Sequence, residues 1–143
     1  MSKKIDYFSL FARLAIGISF LSAVADRMGW WTPVLGHENV AWGNMANFIA
    51  YTGVLVPWIA EPVLPFLAWL VTVAEVVLGV LLIIGYQLRI AALFSGILLL
   101  TFAFSMLVFA GFKAPFDYSV FTAAACSFLL YAREMDKTSA GDE

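Results

Sequence analysis

The sequence predicts an all-α fold: a four-helix transmembrane bundle with an additional short amphipathic helix in the extracytoplasmic loop between the first and second spans. Three observations carry this. Of 143 residues, 63% are hydrophobic and only 13% are charged, against roughly half and a quarter in an ordinary soluble domain. The apolar residues fall into four blocks, three of them long enough for the ~20 residues a bilayer crossing needs and the fourth near the lower limit. Glycine and proline sit between the blocks, where helices end.

The same arithmetic excludes several classes. A small soluble domain buries only about two-thirds of its surface and could not hide this much apolar area. Disordered chains are polar and charge-rich. A net charge of −2 with no basic stripe disfavours nucleic acid as a partner. The single cysteine, Cys126, excludes an internal disulfide, a CxxC motif and a cysteine zinc site. The single histidine, His37, excludes bis-His haem ligation within one chain. No metal or haem is expected, and no catalytic residue stands out.

The chain reads as a single integral membrane domain, residues 1–143. The first span covers about 5–25. Lys3, Lys4 and the Ala23-Val-Ala25 run imitate a signal peptide. Arg13 inside the apolar stretch, and the length of that stretch, favour a retained helix. The outer loop follows at 26–62 and is rich in aromatics: Trp30, Trp31, Trp42, Phe48, Tyr51 and Trp58. Tryptophan and tyrosine favour the membrane interface. Within it Trp42, Met45, Ala46, Ile49, Ala50 and Gly53 share one helical face, with Asn44, Asn47 and Tyr51 largely opposite. Asn39 is placed to cap this helix and Pro57 to end it. The helix would lie on the outer face of the bundle or act as a lid. The second span covers about 63–85 and the third 89–110; the Gly85–Arg89 connection is so short that they must be antiparallel neighbours. The fourth, 116–132, is the shortest, and 133–143 is a cytoplasmic tail.

Orientation follows from lysine and arginine in the flanks. Lys3, Lys4, Arg89, Arg133 and Lys137 lie on one side, Arg27 and Lys113 on the other. Both termini are therefore expected to be cytoplasmic.

Arg13 and Glu75 are the most informative positions, because each sits inside an apolar span. Each costs roughly 2.5–3.5 kcal/mol at a helix centre. Counted from Ile5, Arg13 lies about 12 Å deep; counted back from Gly85, Glu75 lies about 15 Å deep on the same side. A buried Arg13–Glu75 pair is allowed, either as a packing device or as the polar centre of a site for an anionic or polar ligand. A second cluster is expected at the outer side: Asp26, His37, Trp42, Asn44, Asn47, Tyr51 and Asp117 could form a pocket with tryptophan walls and a few polar groups. The plainer reading makes Asp117 the N-cap of the fourth helix and His37 a solvated loop residue. Cys126, in the run Ala123–Ser127, reads as a close-packing position, as do Ala91 and Ser95.

Two stretches resemble the DoxX family of small four-helix membrane proteins. One is Arg13-Leu-Ala-Ile-Gly17-Ile-Ser-Phe20. The other runs from Glu75-Val-Val-Leu-Gly79 through Gly85-Tyr-Gln-Leu-Arg89 to Leu93. The matching positions are Arg13, Gly17, Glu75, Gly79 and Arg89, and the resemblance covers about Tyr7 to Ala132. It implies a multi-pass protein of the prokaryotic cytoplasmic (inner) membrane, similar to a subunit of a thiosulfate–quinone oxidoreductase. The tryptophan-rich loop is more elaborate than a minimal member needs, and the chain lacks a cysteine pair for thiol chemistry. A redox role would therefore require a partner subunit or a bound quinone. The leading expectation is a non-catalytic membrane protein that binds a lipophilic ligand, quinone or lipid, or a partner oxidoreductase subunit, with homo-oligomerisation open. The alternatives are a small proton-coupled transporter or channel titrating at Glu75, and a structural or assembly factor.

Overall fold

A computed structural model describes residues 6–141. The expected start of the first span at Ile5, the charges of Lys3 and Lys4, and the last two residues of the tail lie outside the described residues. The described chain is α-helical, with no strand: α1 Tyr7–Arg27, α2 Thr32–Leu35, α3 Met45–Leu55, α4 Leu64–Ile84, α5 Leu88–Ser105, α6 Ala114–Asp117 and α7 Val120–Gly141. A π-helical turn, Met106–Ala110, extends α5.

Local sequence explains most boundaries. Asp6 caps α1 by accepting from the Ser9 N–H at 3.3 Å. Pro65 sits in the first turn of α4, where its missing N–H is not needed. Gly85 closes α4 in the left-handed conformation, φ +74°, with its N–H on Leu81 O. Asn44, rather than the expected Asn39, caps α3, accepting from Asn47 N–H at 2.9 Å. Asn39 lies in a preceding 3₁₀ turn and donates to Leu35 O instead. The stripe that α3 buries is Phe48, Thr52 and Leu55, not the face led by Trp42, because the helix starts only at Met45 and Trp42 precedes it. Asp117 does not cap α7: it ends α6 in an ion pair with Lys113, and Ser119 (φ 53°) breaks the chain before α7 begins.

Four long helices pack side by side. α1 lies on α4 and α5 on α7, and α4–α5 and α1–α7 contacts close the ring. The core joins Ile16 and Phe20 of α1, Leu78 and Leu82 of α4, Ala91 and Ala92 of α5, and Leu130 of α7. Phe8, Phe66, Phe104 and Leu129 are left exposed, as a lipid-facing surface requires. Three helical segments are long and apolar enough to cross a membrane: Tyr7–Arg27, Glu61–Ile84 and Leu88–Ala110. The apolar part of α7 runs only from Val120 to Ala132, about 20 Å, before Arg133 and Glu134.

Small residues set the closest approach. Without a hydrophobic force between helices in lipid, backbones gain most by packing closely through glycine. A Cβ on Gly17 would fall 2.8 Å from Gly79 O and 2.8 Å from Ile83 Cγ1; one on Gly79 would fall 3.0 Å from Gly17 O. A Cβ on Gly96 would meet the Phe128 ring at 2.7 Å. These contacts fix an antiparallel register in which Gly17 is level with Gly79. Gly17→Ala is expected to force α1 from α4 and cost about 1–3 kcal/mol, read as a lower unfolding midpoint in detergent. Ala15→Gly, on an exposed face of α1, should cost no more than about 1 kcal/mol.

Candidate functional site

The α1–α4 register determines which charges meet. With Gly17 beside Gly79, Arg13 is level with Ile83, and Glu75 lies eight residues, about 12 Å, further along. Helical side chains lean toward their own N-terminus. Arg13 therefore leans away from Glu75, toward the end of the bundle where α1 starts and α4 stops. Arg27, at the other end of α1, leans inward, and Glu75 of α4 leans outward to meet it.

The pair in the structure is accordingly Arg27–Glu75, and the expected Arg13–Glu75 contact is not made. Arg27 Nη1 donates to Glu75 Oε2, and Nη2 donates to Oε1 at 3.1 Å. Nη1 also donates to Thr72 Oγ1 at 3.1 Å. The Thr72 hydroxyl in turn donates to Ala68 O at 2.8 Å. Arg27, Thr72 and Glu75 are only 2–3% exposed. The depth estimate failed because it placed the start of α1 level with Gly85, whereas the glycine contact offsets the two helices.

Aromatic rings of the loop segment seal this centre. The Arg27 guanidinium carbon lies 3.7 Å from the Phe48 ring centroid and 5.1 Å from that of Trp42. Both separations are within reach of a cation–π attraction, which grows when the site is dry. Trp42 and Phe48 meet edge to face, their centroids 5.1 Å apart, and Tyr51 lies 6.1 Å from Trp42. Burial, and then the nearby Tyr118, push the Tyr51 hydroxyl above its ordinary pKa.

Asp26 holds the cover in place. Its Oδ2 accepts from Ala41 N–H at 2.9 Å and Trp42 N–H at 3.1 Å, and its Oδ1 accepts from Gly43 N–H at 2.9 Å. Two neighbouring residues at the end of α1 thus divide the work: Asp26 ties the loop down and Arg27 reaches under it. Asn47 Nδ2 donates to Trp42 O at 2.7 Å and fixes the same strand of chain to α3.

Beside this cover runs an open groove of about 540 Å³ between α1 and the loop segment. Ile18, Ser19, Ser22, Trp31, Asn39 and Trp42 are among its walls. Trp31 is held by its indole N–H, which donates to Ser22 O at 3.1 Å and Ser22 Oγ at 3.2 Å. Of the outer cluster expected from the sequence, Asp26 and Trp42 line the groove. Asn44 and Asn47 serve the start of α3, Tyr51 packs behind Trp42, His37 is exposed in its turn, and Asp117 is occupied by Lys113. Arg27 was missed, because a basic residue at a helix end reads as a solvated C-terminal charge. Its signal was the run of aromatics that follows it together with the Gly17–Gly79 register.

Asp26→Ala should release the 41–43 strand by leaving three amides without their acceptor. Faster hydrogen exchange is expected at residues 41–43, with exchange in the middle of α5 unchanged. Unaltered protection at 41–43 would contradict the role given to Asp26.

No curated protein and no solved structure matches the chain. The DoxX family pattern matches residues 8–111, which takes in α1, the whole loop segment, α4 and α5 with its π turn. A match over that much of the sequence, across both helices that carry the buried pair, shows that the chain belongs to the DoxX family.

Proposed function

We propose that this chain is a four-span subunit of a prokaryotic cytoplasmic membrane, with both termini cytoplasmic, that binds a lipophilic ring-bearing ligand of the quinone class on behalf of a partner oxidoreductase. The observation that carries the reading is the groove beside the sealed Arg27–Glu75 centre. Its ~540 Å³ falls in the range of small-molecule sites, which are mostly apolar with a few placed polar groups. It opens along α1 at Ile18, which is 58% exposed, so a ligand could enter from the lipid. Trp31 and Trp42 offer flat walls. Ser22 Oγ accepts from Trp31 and keeps its own proton to donate, which suits a ring carbonyl.

The groove contains few groups that could do chemistry. Asp26 is its acidic member, and both carboxylate oxygens already accept backbone amides. This favours binding over catalysis by the chain alone. Both oxygens of Glu75 are held by one guanidinium, an arrangement that suits a fixed anchor better than a proton relay. Membership of the DoxX family supports the membrane setting. The ring closed by α7 supports a fourth crossing, shortened at the end where Ser119 breaks the chain.

Titration of a short-chain quinone into the protein in nanodiscs should give saturable quenching of tryptophan fluorescence. Ala23→Phe, which fills the groove from α1, should weaken binding about tenfold, equivalent to 1.4 kcal/mol. Linear, non-saturating quenching that is the same in both proteins would refute the reading.

A further inference from the structure

Arg13, partly exposed near the start of α1, is left without a counter-ion among the described residues. No carboxylate among the described residues comes within ion-pairing distance of it: Asp6 is taken by Arg133, Glu134 by Lys137, and Glu75 by Arg27. A guanidinium has five N–H donors. The hydrogen bond found for Arg13 is a long one, Nη2 to Ile83 O at 3.5 Å. Its Nε is buried and has no partner among the described residues. Such an arrangement costs free energy unless something else accepts those protons.

The guanidinium lies against Gly85, with the carbon Cζ only 2.9 Å from where a Cβ would be. Gly85 is left-handed, φ +74°, so a side chain there would be strained. The following turn is unusual too: Gln87 adopts φ 47°, and α5 starts without a side-chain cap. The first amides of α5 therefore have no acceptor from a capping side chain. Arg13 leans toward this end of the bundle, six residues into α1, about 9 Å. A long side chain at that depth can carry its charge to the membrane surface.

We infer that Arg13 and the Gly85–Gln87 turn form a binding site for a phosphate group, fitted to the headgroup of an anionic phospholipid. A planar guanidinium can grip a phosphate with two parallel hydrogen bonds. The site stands at the opposite end of the α1–α4 pair from the quinone groove and does not depend on it. The bound lipid would fasten the start of α1 to the α4–α5 turn, where the hydrogen bond found among the described residues is the long one from Arg13 to Ile83 O.

The test is the thermal midpoint of the purified full chain in a neutral detergent, titrated separately with dioleoylphosphatidylglycerol, dioleoylphosphatidylcholine and inorganic phosphate. Phosphatidylglycerol should raise the midpoint saturably, and Arg13→Gln should weaken this about tenfold, the loss of a charge-assisted hydrogen bond. Lys113→Gln, which removes an exposed lysine at the opposite end of α5, should leave the titration unchanged. Stabilisation by inorganic phosphate that is lost in Arg13→Gln would keep the site and assign it to a free anion. If Arg13→Gln does not fold, Arg13→Lys decides, since an ammonium cannot make the paired contact and should bind several-fold more weakly. Equal phosphatidylglycerol affinity in the parent and a folded Arg13 variant would overturn the proposal. So would an equal loss in Lys113→Gln, or stabilisation by phosphatidylcholine as strong as by phosphatidylglycerol.

Discussion

A buried arginine and a buried glutamate share one site in a bundle whose core is mostly leucine, alanine, isoleucine and phenylalanine, and the rest of the structure is arranged around keeping them together. Neither charge could stay there alone, because an unpaired ion in low dielectric costs several kcal/mol. Their separation along the chain, 48 residues, means that pairing closes the entire loop segment between α1 and α4. The glycine contact between Gly17 and Gly79 sets the register that lets them meet. Asp26 brings Trp42 over the top, and Phe48 comes with α3. Each device excludes water from the pair, and dryness is what makes a guanidinium over an aromatic face worthwhile. A buried pair of this kind is weak evidence for net stability.

The bulk architecture was legible because lipid imposes it. Every backbone amide in a bilayer must be satisfied within its own helix, so long apolar blocks and glycine-ended turns read directly as helices, and α4 stops at Gly85 where its sequence says it should. The fourth block was harder to read. The break at Ser119 shortens α7 to an apolar stretch below the usual span, and a count of hydrophobic residues cannot see a positive φ. The loop helix was legible in type but not in face. Trp42 fits its periodicity yet lies outside it, held by Asp26 through backbone amides. A hydrogen bond to a main-chain N–H leaves no trace in residue identity.

The site shows the same division. Glu75 stood out because a carboxylate in an apolar helix demands a partner. The partner itself was not legible, since depth along two helices fixes a pair only when their offset is known. Arg13 lies within α1 and Arg27 at its end. The direction in which helical side chains lean separates them, sending one toward Glu75 and the other toward the opposite end. Two arginines on one helix consequently have different surroundings: one is enclosed with a carboxylate, and the other lies partly exposed against a glycine.

The account rests on Arg27, not Arg13, being energetically joined to Glu75, and a double-mutant cycle tests that most directly. Arg27→Met, Arg13→Met and Glu75→Gln, singly and in the two pairs that include Glu75→Gln, would be compared by unfolding free energy in mixed micelles. The structure predicts a coupling of about 1–3 kcal/mol between Arg27 and Glu75, because each single change strands the other charge or its hydrogen bonds. It predicts additivity within about 0.5 kcal/mol for Arg13 and Glu75, which share no partner. Additive costs for Arg27 and Glu75, or a coupling that appears with Arg13 instead, would contradict it.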